Sequence, residues 1–468
     1  MSGLFGVISN SDCVETLFLG TDYHTHLGTQ YGGLAVLGED GFQKKIHNLS
    51  NSQFKSKFIE DYEKMSGNSG IGVISDKYEQ PLMFQSKFGT YALATNGLIT
   101  NKQELGEELI KEGTSFTEVS DGNINTTEFV AKLIASGKTL VDGIERVFEK
   151  ITGSISIIIL NHKGIYVARD KFGHTPLIIG EGVNCWAVAS ETCAFPNLGF
   201  KVKKFVAPGE IVLLTKEGIQ SLKEGGKTNK ICSFLWIYTG FPASTYEGIN
   251  SEIVRERCGI ALAKRDKVKA DLASGVPDSG LAHAIGYAME SKLPYRRPLV
   301  KYTSGYGRSY TPPDQKTRDR IAQMKLIPIE EVIKDQRIIV CEDSIVRGTQ
   351  LKNYTVTKLH NSGVKEVHVR VACPPLMFPC IYNLSTRTYD ELAARQAIYE
   401  IEGGEIEDVS EYLDPDSEKY EKMVELIREK VGVTSLMYQR LEDMIDAIGL
   451  PKERLCRYCW DGCHHQEE

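Results

Sequence analysis

The chain has 468 residues, 41% hydrophobic and 25% charged, with a formal net charge of −7. That length implies two or three domains with ample core, and the acidic balance argues against nucleic acid or a membrane surface as partner. The start, Met1-Ser2-Gly3-Leu4-Phe5-Gly6-Val7, lacks a basic region followed by a long apolar run, and no stretch approaches the ~20 apolar residues of a membrane helix. A cytoplasmic protein is therefore expected, with its eleven cysteines as thiols or metal ligands rather than disulfides.

In chain order, Thr127 to Ala135 carries Phe129, Val130, Leu133 and Ile134 at helical spacing and is closed by Gly137, so a helix capped by Thr126 is expected. Ser154–Leu160 and Gly164–Ala168 flank an Asn161-His162-Lys163 turn, a hairpin pattern. The polar Lys/Gly-rich stretch Lys216–Lys230 marks a domain junction. Beyond it Ile338–Cys341 reads as a buried strand, followed by a Gly-containing loop, a helix through Leu359 and the strand Val367–Ala372. That order implies a parallel α/β sheet. Ser417 to Gly449 reads as two helices before a Cys-rich end.

Cys341-Glu342-Asp343-Ser344-Ile345-Val346-Arg347-Gly348-Thr349 follows the buried strand and opens the helix. Adjacent carboxylates at a strand end can accept from two sugar hydroxyls or approach Mg²⁺. The loop behind them offers backbone N–H groups and a helix N-terminus, which suit a phosphate monoester. An ordinary β–α turn with solvated acids shares this local pattern.

The full string resembles the phosphoribosyl-pyrophosphate (PRPP) loop of the amidophosphoribosyltransferase family. Further matches span most of residues 230–400 in order. They are Val276-Pro277-Asp278-Ser279-Gly280, Gly307-Arg308-Ser309-Tyr310 with Pro313, Gln315 and Arg318, Val364–Arg370, and Cys373-Pro374-Pro375. The resemblance implies displacement of pyrophosphate at the ribose anomeric carbon, a step that rests on positioning and charge neutralisation. Glu342 and Asp343 would hold the ribose hydroxyls and, with Ser279, lie near Mg²⁺. Ser344, Arg347, Gly348 and Thr349 would hold the 5′-phosphate, and Arg308 and Lys325 the leaving pyrophosphate. The chain departs from the family at Glu342 (usually Asp), Gln350 (a second Thr), Lys301-Tyr302-Thr303 (Lys-Asn-Arg) and Gln323 (Arg).

The first half resembles the glutaminase half of the same family through Gly3–Val7, Thr95-Asn96-Gly97, Ala168-Arg169-Asp170, Gly173 with Pro176-Leu177, Ala189-Ser190-Glu191 and Pro208–Val212. Such amidases use an N-terminal Cys whose α-amine, with pKa near ~8, serves as base. Asn96 and Gly97 match their oxyanion hole. The nucleophile position is Ser2, which removal of Met1 would leave at the N-terminus. An engineered Cys-to-Ser exchange would give the same residue. The Arg expected to bind the glutamine carboxylate falls at Leu27, and the Asp expected to bind its amine falls at Thr126. Losing one partner of such a pair costs roughly 2–5 kcal/mol, so a degenerate glutaminase site is expected.

Cys456-Arg457-Tyr458-Cys459 is a C-x₂-C pair that alone could be half of a zinc site. The iron–sulfur branch of the family places its other ligands at Cys232 and Cys380, which implies a [4Fe–4S] cluster. Cys463-His464-His465 reads as tail. Cys13, Cys185, Cys193, Cys258, Cys341 and Cys373 read as buried small hydrophobes.

The expected fold is an α+β N-terminal-nucleophile αββα sandwich over 2–228, an α/β type I phosphoribosyltransferase domain over 229–415, and C-terminal helices with a Cys-rich tail over 416–468. The expected function is formation of phosphoribosylamine from PRPP for purine nucleotides, driven by ammonia more readily than by glutamine. The rival is a non-catalytic paralogue that binds a nucleotide or phosphosugar and regulates a partner. A fully working glutamine amidotransferase would need Ser2 to be artificial and other residues to replace Leu27 and Thr126. The resemblance also implies a homo-oligomer, dimer or tetramer, with purine nucleotide effectors.

Overall fold

The structure, a computed structural model, describes residues 2–120, 122–227, 229–302, 324–383, 386 and 388–463. The chain forms two compact units. The first comprises Met1–Cys232, Ala243–Gly248 and Ile381–Leu384, and the second Ser233–Pro242, Ile249–Cys380 and Ser385–Glu468.

Two antiparallel sheets make the first unit. The seven-stranded sheet runs, edge to edge, Lys201–Phe205, Ile178–Gly182, Cys185–Ala189, Gly3–Ser9, Ser69–Ser75, Tyr31–Gly38 and Gly41–Asn48. The six-stranded sheet runs Gly218–Lys223, Ile211–Thr215, Gly164–Arg169, Gly153–Asn161, Gly89–Ile99 and Leu82–Ser86. Side chains alternate across each sheet, because successive residues of a strand point to opposite faces. Leu4 and Ile8 join Val73, Ala92, Ile158, Leu160 and Val212 in one core between the sheets. Phe5 and Val7 face a second core with Val14, Leu17 and Phe58 from the helices Val14–Asp22 and Phe54–Tyr62. Ile155, Ile157 and Ile159 face a third with Phe129, Leu133, Ile144 and Val147 from Thr126–Ala135 and Leu140–Lys150. Helix, sheet, sheet and helix layers thus form the αββα sandwich. Both faces of the central strands are covered, so they read as unbroken apolar runs.

The hairpin is Gly153–Asn161 with Gly164–Arg169. The helix begins at Thr126, but its cap is Asn125, whose side chain accepts from Thr127 N at 2.8 Å. The Thr126 cap is therefore corrected by one residue. Asn125 is still in extended conformation one residue before the first turn, so its carboxamide oxygen can turn back onto the free N–H groups.

The second unit is built on a parallel sheet in the order Leu272–Gly275, Arg337–Glu342, Glu366–Val371 and Ser435–Tyr438. A helical run over Leu351–Val356 and Thr357–Asn361 links the second and third strands, and Ala393–Glu402 and Glu418–Val431 lie between the third and fourth. Ser417–Gly449 is therefore helix, strand, helix rather than two helices. The four residues Ser435–Tyr438 are too short to show a period in sequence, and become a strand by pairing with His368–Val371. Among the described residues no helix is long and apolar enough to cross a membrane.

Candidate active sites

In the first unit Ser2 is buried just ahead of the strand Gly3–Ser9, and its N–H donates to Asn96 Oδ1 at 2.8 Å. That bond occupies the acceptor end of the Asn96 amide and leaves its Nδ2 donors for an oxyanion. Asn96 and Gly97 are registered on Ser156 and Ile155 of the next strand. Gly97 has φ +146°, and a Cβ there would lie 2.1 Å from Ser154 O, so only glycine fits.

A buried polar network runs from this point to the start of the helix Thr126–Ala135. Thr95 N donates to Gln80 Oε1 (2.9 Å), Gln80 Nε2 donates to Thr95 O (3.1 Å), and Thr127 Oγ1 donates to Gln80 Oε1 (2.9 Å). The hydroxyls of Thr95 and Thr127 are 2.8 Å apart. Half-buried Thr126 accepts from Lys102 Nζ at 3.3 Å. Leu27 is buried in a turn whose N–H bonds His24 O at 2.9 Å.

Three charged residues quoted only as sequence matches prove to be the frame of this unit. Asp170, fully buried, accepts from Ser154 Oγ (2.5 Å), Ile155 N (3.0 Å), Phe172 N (2.9 Å) and Gly173 N (2.9 Å). It thereby pins the strand opposite Gly97. Burial still raises its pKa, against those bonds. Arg169, equally buried, donates to Thr175 O (3.2 Å), Val206 O (2.6 Å), Gly173 O and Glu247 Oε1 (2.8 Å). Glu191 accepts from Tyr246 OH (2.6 Å) and Ser244 Oγ (3.0 Å) and pairs with His26 Nε2 at 2.9 Å. Burial opposes its charge, but His26 and these donors outweigh it and bring its pKa down to about 2. Their signal in sequence was a charge embedded in an apolar run, as in Val167-Ala168-Arg169-Asp170.

In the second unit Glu342 ends its strand and Asp343 follows, both buried. Glu342 Oε1 accepts from Ser279 Oγ (3.0 Å) and Asp343 N (3.2 Å), and Ser344 Oγ donates to Asp343 Oδ1 (2.5 Å). Val276 N donates to Cys341 O at 3.0 Å, and a Cβ on Gly280 would fall 2.2 Å from that same oxygen. This close approach delivers Ser279 to the acids. Burial, then the Asp343 charge, raises the Glu342 pKa well above the carboxylate range, and burial raises that of Asp343. Two such acids accept either hydroxyl hydrogens or a hard cation that would ionise both. Gly348, at φ +75°, turns the chain into the helix that starts at Thr349.

Exposed Arg347 is drawn onto Glu391, while Ala393 N donates to Val346 O at 2.6 Å. Lys325 lies on another element, its carbonyl accepting from Tyr302 N (2.8 Å) beside the pair Leu299–Lys301 and Leu326–Pro328. Arg308 lies outside the described residues, as do Gly307, Ser309, Tyr310, Pro313, Gln315, Arg318, Gln323, His464 and His465.

A glutamine amidotransferase domain model matches residues 69–197. The Bacillus subtilis amidophosphoribosyltransferase is 33% identical over 460 residues, covering 96% of this chain and 89% of its own. That of Methanocaldococcus jannaschii is 31% identical over 497 residues, covering 100% and 98%. The chain belongs to the amidophosphoribosyltransferase family. Solved relatives agree. The B. subtilis glutamine PRPP amidotransferase complexed with ADP and GMP superposes with TM-score 0.84 at 30% identity, over 99% of this chain and 97% of that one. An allosteric regulatory enzyme of purine biosynthesis gives TM-score 0.84 at 29% identity. This member of the family is thus an enzyme of the pentosyltransferase class, with an N-terminal-nucleophile amidotransferase unit and a phosphoribosyltransferase unit.

Among the described residues no group of three or more His, Cys, Asp or Glu is set to hold a metal ion. Two carboxylates with the Ser279 hydroxyl remain an oxygen donor set suited to Mg²⁺. In the second unit, Met377 N and Phe378 N donate to Cys459 O at 2.9 and 3.2 Å, bringing the segment before Cys380 to the C-x₂-C pair. Burial, then the charges of Tyr389, Cys459, Cys380 and Cys456, raises the Tyr458 pKa. Cys232 lies in the first unit. Of the cysteines read as small hydrophobes, Cys13, Cys193, Cys258, Cys341 and Cys373 are buried and Cys185 is half-buried.

Proposed function

We propose that this chain makes phosphoribosylamine from PRPP in purine nucleotide synthesis and takes ammonia more readily than glutamine. The carrying observation is the buried Glu342–Asp343 pair at the end of a parallel strand, bonded to Ser279 and followed by a turn that opens a helix. Such a pair fixes vicinal hydroxyls, and the helix start receives the 5′-phosphate. The anomeric C–O bond to pyrophosphate breaks, the C–N bond to ammonia forms, and ammonia's surplus proton passes to solvent. Mg²⁺ held by Glu342, Asp343 and Ser279 would offset charge on the leaving group.

The ammonia preference rests on Ser2, Leu27 and Thr126, which stand where a thiol, a cation and an anion are needed for glutamine. We assign 2–228 to the glutaminase-like domain, 229–415 to the phosphoribosyltransferase and 416–468 to the tail. Four thiols at Cys232, Cys380, Cys456 and Cys459 have the chemistry of a [4Fe–4S] ligand set. Iron and sulfide analysis of anaerobically purified protein, near four of each per chain, tests that assignment. The family resemblance implies a homo-oligomer, and the solved relative complexed with ADP and GMP favours purine nucleotide effectors.

The deciding experiment measures Mg²⁺-dependent pyrophosphate release from PRPP under anaerobic conditions, with ammonium and glutamine supplied separately. Turnover with ammonium exceeding that with glutamine is expected. Absence of both turnover and PRPP binding would overturn the enzyme assignment, and equal turnover from glutamine would overturn the ammonia preference.

A further inference from the structure

Lys102 brings an ammonium group to the start of the helix Thr126–Ala135, and among the described residues no carboxylate pairs with it. Its Nζ donates to Ile124 O (2.6 Å), Tyr78 OH (3.0 Å) and Thr126 Oγ1 (3.3 Å). These three bonds use all three donors of an ammonium, and every acceptor is neutral. Lys77 Nζ lies 4.9 Å from the centre of the Tyr78 ring and Lys102 Nζ lies 5.0 Å from it, so two cations flank one phenol. Burial opposes ionisation of that phenol, but the hydrogen bond from Lys102 and the neighbouring Lys77 outweigh burial and lower its pKa. The same corner holds the start of the ten-residue helix Thr126–Ala135, whose partial charge is also positive.

This corner is connected to the reacting end by bonded contacts. Thr126 adjoins Thr127, Thr127 bonds Thr95, and Thr95 precedes Asn96, which holds Ser2. Lys102 thus ends a run of bonded residues that starts at the oxyanion donors Asn96 and Gly97, and among the described residues no carboxylate pairs with it. A half-buried charge without a counter-ion favours an anionic partner and repels a second cation.

We propose that Lys102 is a specificity-determining residue that makes this pocket select an ω-amide of a dicarboxylic acid lacking an α-amine over the zwitterion glutamine. This rests on the reading of the first unit as an amide site. It deepens that reading, because it replaces a merely lost amine contact with a contact of opposite sign.

The test is calorimetric titration of the full chain with glutaramate, the monoamide of glutaric acid, and with L-glutamine. Glutaramate is expected to bind at least about tenfold more tightly. Lys102→Met should bring the two within about threefold, chiefly by weakening glutaramate, and Lys102→Arg should keep the preference. If Lys102→Met does not fold, Thr126→Asp supplies the counter-ion and should move the ratio the same way. Glutamine binding as tightly as glutaramate, binding of neither, or a ratio unchanged in folded Lys102→Met or Thr126→Asp would overturn the proposal. Pyrophosphate release with ammonium is read separately on the unaltered chain. Its failure alongside a preserved glutaramate preference would sink the proposed reaction and leave this inference standing.

Discussion

The two units of this chain have treated their charged residues in opposite ways. In the first, the buried charges that frame the site are present, while positions 2, 27 and 126, where the family resemblance expects thiol, cation and carboxylate, hold Ser, Leu and Thr. In the second, Glu342 and Asp343 sit buried at the end of a strand at an electrostatic cost, since burial raises the pKa of both. Framework charges such as Arg169 and Glu191 are held by stability, because removing one strands its partners. An acid buried against its own ionisation, as Glu342 is, costs the fold free energy, and that cost points to ligand chemistry.

The sharpest break of that contrast is Glu342→Gln or Asp343→Asn. Either should lower PRPP-dependent pyrophosphate release by about 10³-fold, comparable to losing one strong charge-stabilising contact. Neither should lower unfolding free energy. The pH dependence follows from the direction of the shift. A carboxyl whose folded pKa lies above its unfolded value binds its proton more tightly when folded. Its stabilisation is full below the usual carboxylate range and is lost as pH rises through the folded value. Metal-free protein should therefore lose stability on that rise, and Glu342→Gln should lose less. A variant that unfolds more easily at neutral pH would show that the acids are framework after all.

Arg169→Leu is the converse. It removes the guanidinium that pairs with Glu247 and donates to the carbonyls of Thr175, Val206 and Gly173, and should cost about 3–5 kcal/mol in denaturant unfolding of the first unit. Glu191→Gln should cost about 3 kcal/mol at neutral pH, from a pKa moved from 4.5 to about 2. Because that folded value is depressed, its stabilisation is present above the unfolded pKa and is lost as pH falls through the folded one. The unaltered chain should weaken between about pH 4.5 and 2 more steeply than Glu191→Gln. Parallel acid limbs for the two proteins would remove Glu191 from the frame.

Much of the fold was legible because the central strands carry unbroken apolar runs, such as Ile155–Leu160, and the loop after Cys341 joins acids, a glycine and a helix start within nine residues. What sequence did not show was partnership across the chain. Nothing local to Lys102 connects it with Tyr78 and Thr126, and Ser435–Tyr438 becomes a strand only against a neighbour far away in sequence. Asp170 and Glu191 were quoted as matches, but their work depends on donors that only the folded chain assembles.

The smallest expected effect separates two neighbouring residues at the helix start beside the amide site. Asn125 caps the helix through Thr127 N (2.8 Å), and its Nδ2 donates to Glu79 O at 3.1 Å. Thr126 has only the long contact from Lys102 among its described side-chain bonds. Asn125→Ala should therefore cost about 1 kcal/mol, the usual worth of an N-cap, whereas Thr126→Ala should stay within about 0.5 kcal/mol. Equal losses in thermal or denaturant unfolding would return the cap to Thr126. The predicted order would instead leave Thr126 free of a structural duty, as the contrast requires of a residue whose expected role was to meet substrate.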